Sequence, residues 1–421
     1  MLRLLNENDK TEIMDKFSEV DSMISTRQIV VEKSGEVITA SDSAEAELAG
    51  LSVFGKSTQD GTPTPTAPIE IVSMENPKAM VCGKNLLPIY DEDKIGNGIN
   101  VTVNNDGSIT INGTATERNV LYFMRSDAKM YLSKGTYRIS MGTIMPTGVN
   151  FVFEYYEDGV WQDVIGRVAE GNSAGTLTID EPLNVAAYIE IKSGTTVDNI
   201  TLYPQIEVGT VATEYEPYNE PQSLSVPYTL RGIPVASGGN YTNSDGQQWV
   251  CDEVDFERGV LVKRIKRVAV GSLETPVLYN VTQGNLFRFS VYDVKQIKQA
   301  SEKPCLLCDS YLCTTTSERD NYTISMAVQY SAIDFINNDY TEVEAFKTAM
   351  EDVYIDYALT TPIETALTEE ELEAYKALHT NKPNTTIFND AGTGMSVGYV
   401  ADAKIYIDNK FEEIKALITT E

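Results

Sequence analysis

The sequence predicts a mainly-β chain of tandem antiparallel β-sandwiches, with short helical, coiled-coil-like segments at both ends. Three observations carry that expectation. Between residues 82 and 218, short β-branched and aromatic runs alternate with Gly, Asn, Asp and Ser, and no helical period intervenes. A second block of the same character runs from 263 to about 365. Sustained helical spacing of apolar residues is concentrated towards the two ends.

At the start, Ile13, Phe17, Val20 and Ile24 follow 4-3-4 spacing and share one seam. Asp9 followed by Glu12 marks the start of that helix. A stripe this narrow needs a second helix to cover it, so the segment predicts either self-association or a fold-back on its own domain. Gln28–Val31 and 36–40 flank Ser34 and Gly35, which predicts a hairpin. A strand follows over 48–56, then a loop over 58–68 whose three prolines and one glycine forbid helix, then a strand over 69–73. Within 82–218, the strands expected over 100–103 and 108–112 enclose the NNDG turn at 104–107. Further strands are expected over 137–141, 150–156, 186–192 and 199–205. The second block contains KRIKRVAV, LFRFSVYD and YTISMAV, then a helix after Thr341. Thr341 with Glu344 reads as its capping box, and Val343, Phe346 and Met350 lie on one face. A strand over 353–359 comes next. Thr368 with Glu371 makes a second capping box, stapled by Leu367 and Leu372. NKPNTTIFNDAGTG reads as turn chemistry. The final helix is expected over roughly 398–418, with Val400, Ala403, Ile407, Phe411, Ile414 and Leu417 on one broad face. Val400, Ile407 and Ile414 are its candidate oligomerisation contacts.

A chain of 421 residues is too long for one core and implies two or three domains. Its net charge of −29 argues against a phosphate-binding groove and against docking on anionic lipid. No apolar stretch reaches the length of a membrane span, and the N-terminus turns polar too early for a secretion signal. The expected partners therefore include neither nucleic acid nor membrane. His379 is the single histidine, which removes most histidine-based catalysis. Cys305-x2-Cys308-x4-Cys313 is the one metal-like spacing, and His379 could complete a tetrahedral set. Leu306 and Leu307 favour instead a buried strand in which cysteine acts as a small hydrophobe. The acidic turns at 104–107, 156–159 and 243–246 offer oxygens to calcium but lack the spacing of a twelve-residue calcium loop. No cofactor is expected, calcium being the one open alternative. The basic run Lys263, Arg264, Lys266 and Arg267 reads as a solvated strand edge.

Tyrosine supplies 23 aromatic residues against two tryptophans, a bias suited to surfaces that meet sugars or proteins. The densest cluster is Phe151, Phe153, Tyr155, Tyr156 and Trp161. Phe151, Phe153 and Tyr155 share a strand face by the period-2 rule and read as core. Tyr156 and Trp161 are candidates to stack on a pyranose ring, with Glu157 or Asp158 taking its hydroxyls; plain packing is the competing reading.

Several phrases in one order resemble phage minor structural and tail-fibre proteins of Gram-positive hosts. They are GKSTQDGTPTPTAPIEIV (55–72), CGKNLLP (82–88), DGSITINGTAT (106–116), PQIEVGTVATEYEPY (204–218), LRGIPVASGGNYTNSDGQQWVCDEVDFERG (230–259), TPIETALTEEELEAYKALHT (361–380) and YVADAKIYIDNKF (399–411). The resemblance implies a virion tail-tip or fibre protein, assembled in the host cytoplasm. It also implies a homotrimer joined to other tail or baseplate proteins, with carbohydrate-binding-like sandwiches that meet bacterial surface glycan during adsorption. No catalytic motif comes with it, so the expected protein is not an enzyme. The alternatives are a purely structural connector and, less favoured, a wall glycan hydrolase using a carboxylate pair. The expected divisions are 1–44 (attachment helix and hairpin), 45–81 plus 219–262 (one interrupted β domain), 82–218 (sandwich), 263–365 (second β domain) and 366–421 (helical segment).

Overall fold

The computed structural model describes residues 28–40, 43–89, 94–122, 130–157, 160–295, 302–315, 318–327, 331–379, 385–389 and 392–419. The N-terminal seam of Ile13, Phe17, Val20 and Ile24 lies outside them. Strand accounts for 53% and helix for 8%, so the chain is mainly β, with several antiparallel sheets.

The first two strands do not form the expected hairpin. Gln28–Gly35 runs antiparallel to Gly394–Asp402, while Val37–Ala40 pairs with Thr385–Asn389. The bend at Glu36 therefore moves the chain from one sheet to the next. Burial explains the choice: Ile38 and Ala40 are 3% and 0% exposed, in a core shared with Ile387 and Tyr399 from the far end of the chain. A lone two-stranded hairpin would leave those side chains in water.

The same core corrects the C-terminal expectations. Thr385–Asn389, read as turn, is a strand, and Val400 belongs to the strand Gly394–Asp402, not to a helix. Met395, Val397, Tyr399 and Ala401 are buried in strict alternation with less buried neighbours, a period of two that holds the backbone extended. The helix starts at Ala403, where Asp402 Oδ1 accepts the amides of Lys404 (2.9 Å) and Ile405 (3.0 Å) and caps the first turn.

A seven-stranded sheet ties the molecule together. Its spatial order is Gln28–Gly35, Gly394–Asp402, Ser43–Phe54, Glu253–Asp255, Val260–Ala269, Tyr354–Ala366 and Leu306–Cys308. One end of it lines a core with Leu51, Val53, Val254 and Val397; the other lines a second core with Ile265, Leu306, Ile355 and Tyr357. Strands Gln222–Ser225, Lys78–Cys82, Thr385–Asn389 and Val37–Ala40 form a four-stranded sheet contributing Ala79, Val81 and Leu224 to the first core. The second core is completed by a five-stranded sheet and the helix Val343–Ala349, whose Phe346 stacks on Phe287 with ring centroids 3.8 Å apart. That helix is capped differently from the expectation: Glu342 precedes it, without a side-chain cap.

The segments on either side of 82–218 pair with each other. Val72–Glu75 meets Thr229–Leu230, Lys78–Cys82 meets Gln222–Ser225, and Ser43–Phe54 meets Glu253–Asp255. Gly55 and Gly232 sit where two of these segments cross, and a Cβ on Gly232 would fall 2.3 Å from the Gly55 carbonyl oxygen. Between them, residues 82–208 hold a core of their own, built by three antiparallel sheets around Phe151, Phe153, Ile189 and Tyr137.

The basic run is not an edge. Val260–Ala269 is interior to the seven-stranded sheet, and each of its cations faces an acid: Lys263 with Asp252 (3.1 Å), Arg264 with Glu253 (2.7 Å), Lys266 with Asp293 (2.7 Å) and Arg267 with Asp356 (3.7 Å).

Candidate functional site

The candidate sugar residues fall at one hairpin of the 82–218 block, between Val149–Glu157 and Val160–Val168. Tyr156 stands opposite Trp161, and Glu157 opposite Val160, in the ladder. Asp158 lies outside the described residues. The ladder is irregular here, with shifts on both sides of Glu154. Phe151 and Phe153 are fully buried, as the alternation requires, whereas Tyr155 beyond the first shift is half-buried.

The opposite face of the same sheet carries a polar aromatic patch. Cross-strand partners place Tyr122 beside Tyr188, Tyr188 beside Val152, and Glu190 beside Asn150. Arg167, Val164 and Asn184 on this face are exposed and Tyr122 and Glu154 half-buried, whereas Tyr188, Val152 and Asn150 are buried, Tyr188 at 4%. Glu154 is its centre: the Tyr188 hydroxyl donates to Oε1 (2.8 Å) and the Tyr122 hydroxyl to Oε2 (3.2 Å). The two rings lie 5.0 Å apart at 51°. Burial, then the neighbouring Glu154, pushes the Tyr122 hydroxyl above its ordinary value, and burial with the Glu154 hydrogen bond does the same for Tyr188. Both phenols are thereby fixed as donors. Beside them, Glu190 accepts from Arg118 Nε (2.7 Å) and Asn150 Nδ2 (3.2 Å). A carboxylate oxygen accepts about two hydrogen bonds, so each Glu154 oxygen keeps capacity for a ligand hydroxyl beyond its tyrosine.

Of this patch, the sequence cluster included none of Tyr122, Tyr188, Glu190 or Arg118. The signal was present in the strand Leu183–Ile191, where Tyr188 and Glu190 alternate with core residues Ala187, Ile189 and Ile191.

The remaining candidates hold other roles. Cys305 and Cys308 pack into the second core, with thiols pushed up by burial. The backbone amide of His379 donates to Gln222 Oε1 (2.9 Å). No group of three His, Cys, Asp or Glu side chains suited to a metal occurs among the described residues. Asp106 Oδ1 accepts the amide (3.0 Å) and hydroxyl (2.5 Å) of Ser108, closing its own turn. Asp245 pairs with Lys134 at 2.8 Å. Ile407 is half-buried on the last helix; the side chain of Ile414 lies outside the described residues.

No protein-family model matches this chain, and neither a curated protein nor a solved structure matches it.

Proposed function

We propose that this chain is a non-enzymatic phage tail protein, a fibre or tail-tip component that binds bacterial cell-surface glycan during adsorption. The 82–218 block acts as a carbohydrate-binding-like β-sandwich, and its outer sheet face meets the sugar. The observation that supports this most directly is the Tyr122–Glu154–Tyr188 network, in which half-buried Tyr122 and Glu154 border exposed Arg167 and Val164, two residues along the strand from the Tyr156–Trp161 pair. The half-buried Tyr122 ring offers flat apolar surface to the C–H face of a pyranose, the buried Tyr188 holds Glu154 in place, and the carboxylate takes hydroxyl hydrogen bonds. The order of phrases resembling tail-fibre proteins supports the virion setting.

The mechanism is avidity. A single shallow sugar site is weak; copies held together by helical ends, as a homotrimer on a tail with other tail or baseplate proteins, raise effective concentration without new contacts. The test is co-sedimentation of the full chain with purified walls of a Gram-positive host. Wild type is expected to pellet with the walls. The double variant Glu154→Gln, Tyr188→Phe, which keeps shape and removes the charge-assisted hydrogen bond, is expected to bind roughly tenfold more weakly, about 1.4 kcal/mol. A wild-type chain that stays in the supernatant would instead leave the structural connector as the reading.

A further inference from the structure

We infer that residues 59–71 form a strap across the seven-stranded sheet, closed while Asp356 holds a proton and loosened when Asp356 ionises. The inference is independent of the glycan reading.

The strap leaves and rejoins the body at one place. Ser57 and Thr58 pair with Ser73 and Val72, so its two ends are pinned together in the manner of an Ω-loop. Within it, Thr64 and Ala67 exchange backbone hydrogen bonds at 3.1 and 3.0 Å, and prolines at 63, 65 and 68 stiffen the chain. Such a segment can lift as a unit.

Its attachments show where it runs. The Ile69 amide donates to the Asp309 carbonyl (2.7 Å), and Gln59 Nε2 donates to the Cys308 carbonyl (2.8 Å). Further along, the Ile71 carbonyl accepts Arg267 Nη1 (3.3 Å). Asp309 follows the edge strand Leu306–Cys308, Arg267 lies on Val260–Ala269, and Tyr354–Ala366 runs between those two strands. From Ile69 to Ile71 the strap therefore crosses the strand that carries Asp356. In the ladder Asp356 stands between Arg267 and Leu307. A cleft of about 550 Å3 follows the crossing, lined by Pro65, Pro68 and Glu70 of the strap and by Arg267, Asp309 and Tyr354 beneath it. Lifting the strap widens this cleft and brings water to Asp356.

Under this cover Asp356 is 0% exposed, and neither of its oxygens receives a hydrogen bond among the described residues. Arg231 and Arg267 each bring Nε only to 3.7 Å, beyond hydrogen-bond reach. The acids that face Asp356 are Asp252 and Asp309. Lys263 is held by Asp252 at 3.1 Å, and the charged residues of the strap itself are both acids, Asp60 and Glu70. Ionised Asp356 is thus a buried charge with no hydrogen bond, an unfavourable state. Two responses relieve it, and both loosen the strap. Water admitted by lifting the strap solvates the carboxylate. Arg267, drawn inward to the carboxylate, gives up the Ile71 carbonyl.

Burial holds the Asp356 carboxyl at about 6 with the strap closed, against the ordinary 3.8. The preference for closure is therefore full below about pH 4 and is lost as pH rises through about 6. Across that window the opening equilibrium changes by up to about a hundredfold.

The test is hydrogen exchange of the full chain at about pH 4.5 and about pH 7.5, read peptide by peptide and corrected for the intrinsic pH dependence of exchange. In wild type, protection over 59–71 is expected to fall at least fivefold from the lower to the higher pH. At the higher pH the strap is expected to exchange at least fivefold faster than Tyr354–Ala366, which marks a local opening. In Asp356→Asn, which keeps the shape and removes the titration, strap protection is expected to change less than fivefold. Gln59→Ala, at a half-buried position, is expected to raise strap exchange at both pH values and to keep the wild-type ratio between them. Wild-type strap protection that changes less than fivefold, or a strap that exchanges no faster than Tyr354–Ala366, overturns the inference. A fall in Asp356→Asn equal to that in wild type overturns Asp356 as the switch. Both wild-type readouts stand without the variants.

Discussion

Two buried aspartates in the same region show how differently one residue type can be housed. Asp334 has a fully buried side chain and is saturated: Arg288 grips it at 2.6 and 2.7 Å, and Arg319 adds a bond at 3.0 Å. Asp356 is equally buried, yet Arg231 and Arg267 each stop at 3.7 Å, and neither carboxylate oxygen receives a hydrogen bond among the described residues. Burial raises the Asp356 carboxyl to about 6 from 3.8; Arg267 and Arg231 pull it down, and Asp252 and Asp309 push it up. A raised carboxyl binds its proton more tightly in the folded chain. Its contribution to stability is therefore full below about pH 4 and is lost as pH rises through about 6. At 1.36 kcal/mol per pKa unit the swing is about 3 kcal/mol. Asp356→Asn removes that dependence, so its stability relative to wild type should improve by up to that amount between pH 4 and pH 7, read by urea denaturation at both. Asp334→Asn should instead destabilise by about 3 kcal/mol, because it weakens a saturated pair with two arginines. A relative stability of Asp356→Asn that stays flat with pH would refute the assignment.

At the scale of elements, the two expected capping boxes separate a motif from its use. Thr368 accepts the amide of Glu371 at 3.2 Å, and the Glu371 carboxylate takes the Thr368 amide at 2.7 Å. Leu367 and Leu372 pack into the first core beside it, as the staple pattern predicts. Thr341 has the same spacing to Glu344, but the helix begins after Glu342, one residue too late for the box to close. What positions that helix is Phe346, fully buried against Phe287. Thr368→Ala should therefore cost about 1 kcal/mol, whereas Thr341→Ala should stay within ~0.5 kcal/mol. Differential scanning calorimetry of the two variants checks the contrast; equal losses would contradict it. The NNDG hairpin makes the opposite point. Ile99–Val103 and Ile109–Thr114 pair as the sequence predicts, with Gly107 at φ +76°, because the turn and both strands are contiguous; Thr196–Leu202 then adds to the Ile109–Thr114 edge.

For the whole molecule, the seven-stranded sheet constrains how assembly can be probed. Its second strand is Gly394–Asp402, between Gln28–Gly35 and Ser43–Phe54. A truncation from residue 398 would cut into this core, so the informative deletion removes 1–27 and 403–421 and keeps the sheet whole. If the ends assemble the protein, light scattering of the intact chain should give a mass near three chains, falling to one in that deletion. A monomer in both would show that the ends do not assemble it. Mainly-β character, strand-rich blocks, most turns, the Thr368 cap and the buried alternation of Phe151 and Phe153 were all legible in the sequence, since each depends on a few neighbouring residues. Which strands pair was not. Gln28–Gly35 passes over an adjacent turn to meet a strand more than 350 residues away, and Val400 is extended because Tyr399 and Ala401 have that core to enter. The face with Tyr122, Glu154 and Tyr188 likewise combines residues from separate strands. Local preference is set by residues within a turn or two of one another. Pairing and cavities follow from where apolar area can leave water, and only the tertiary structure decides that.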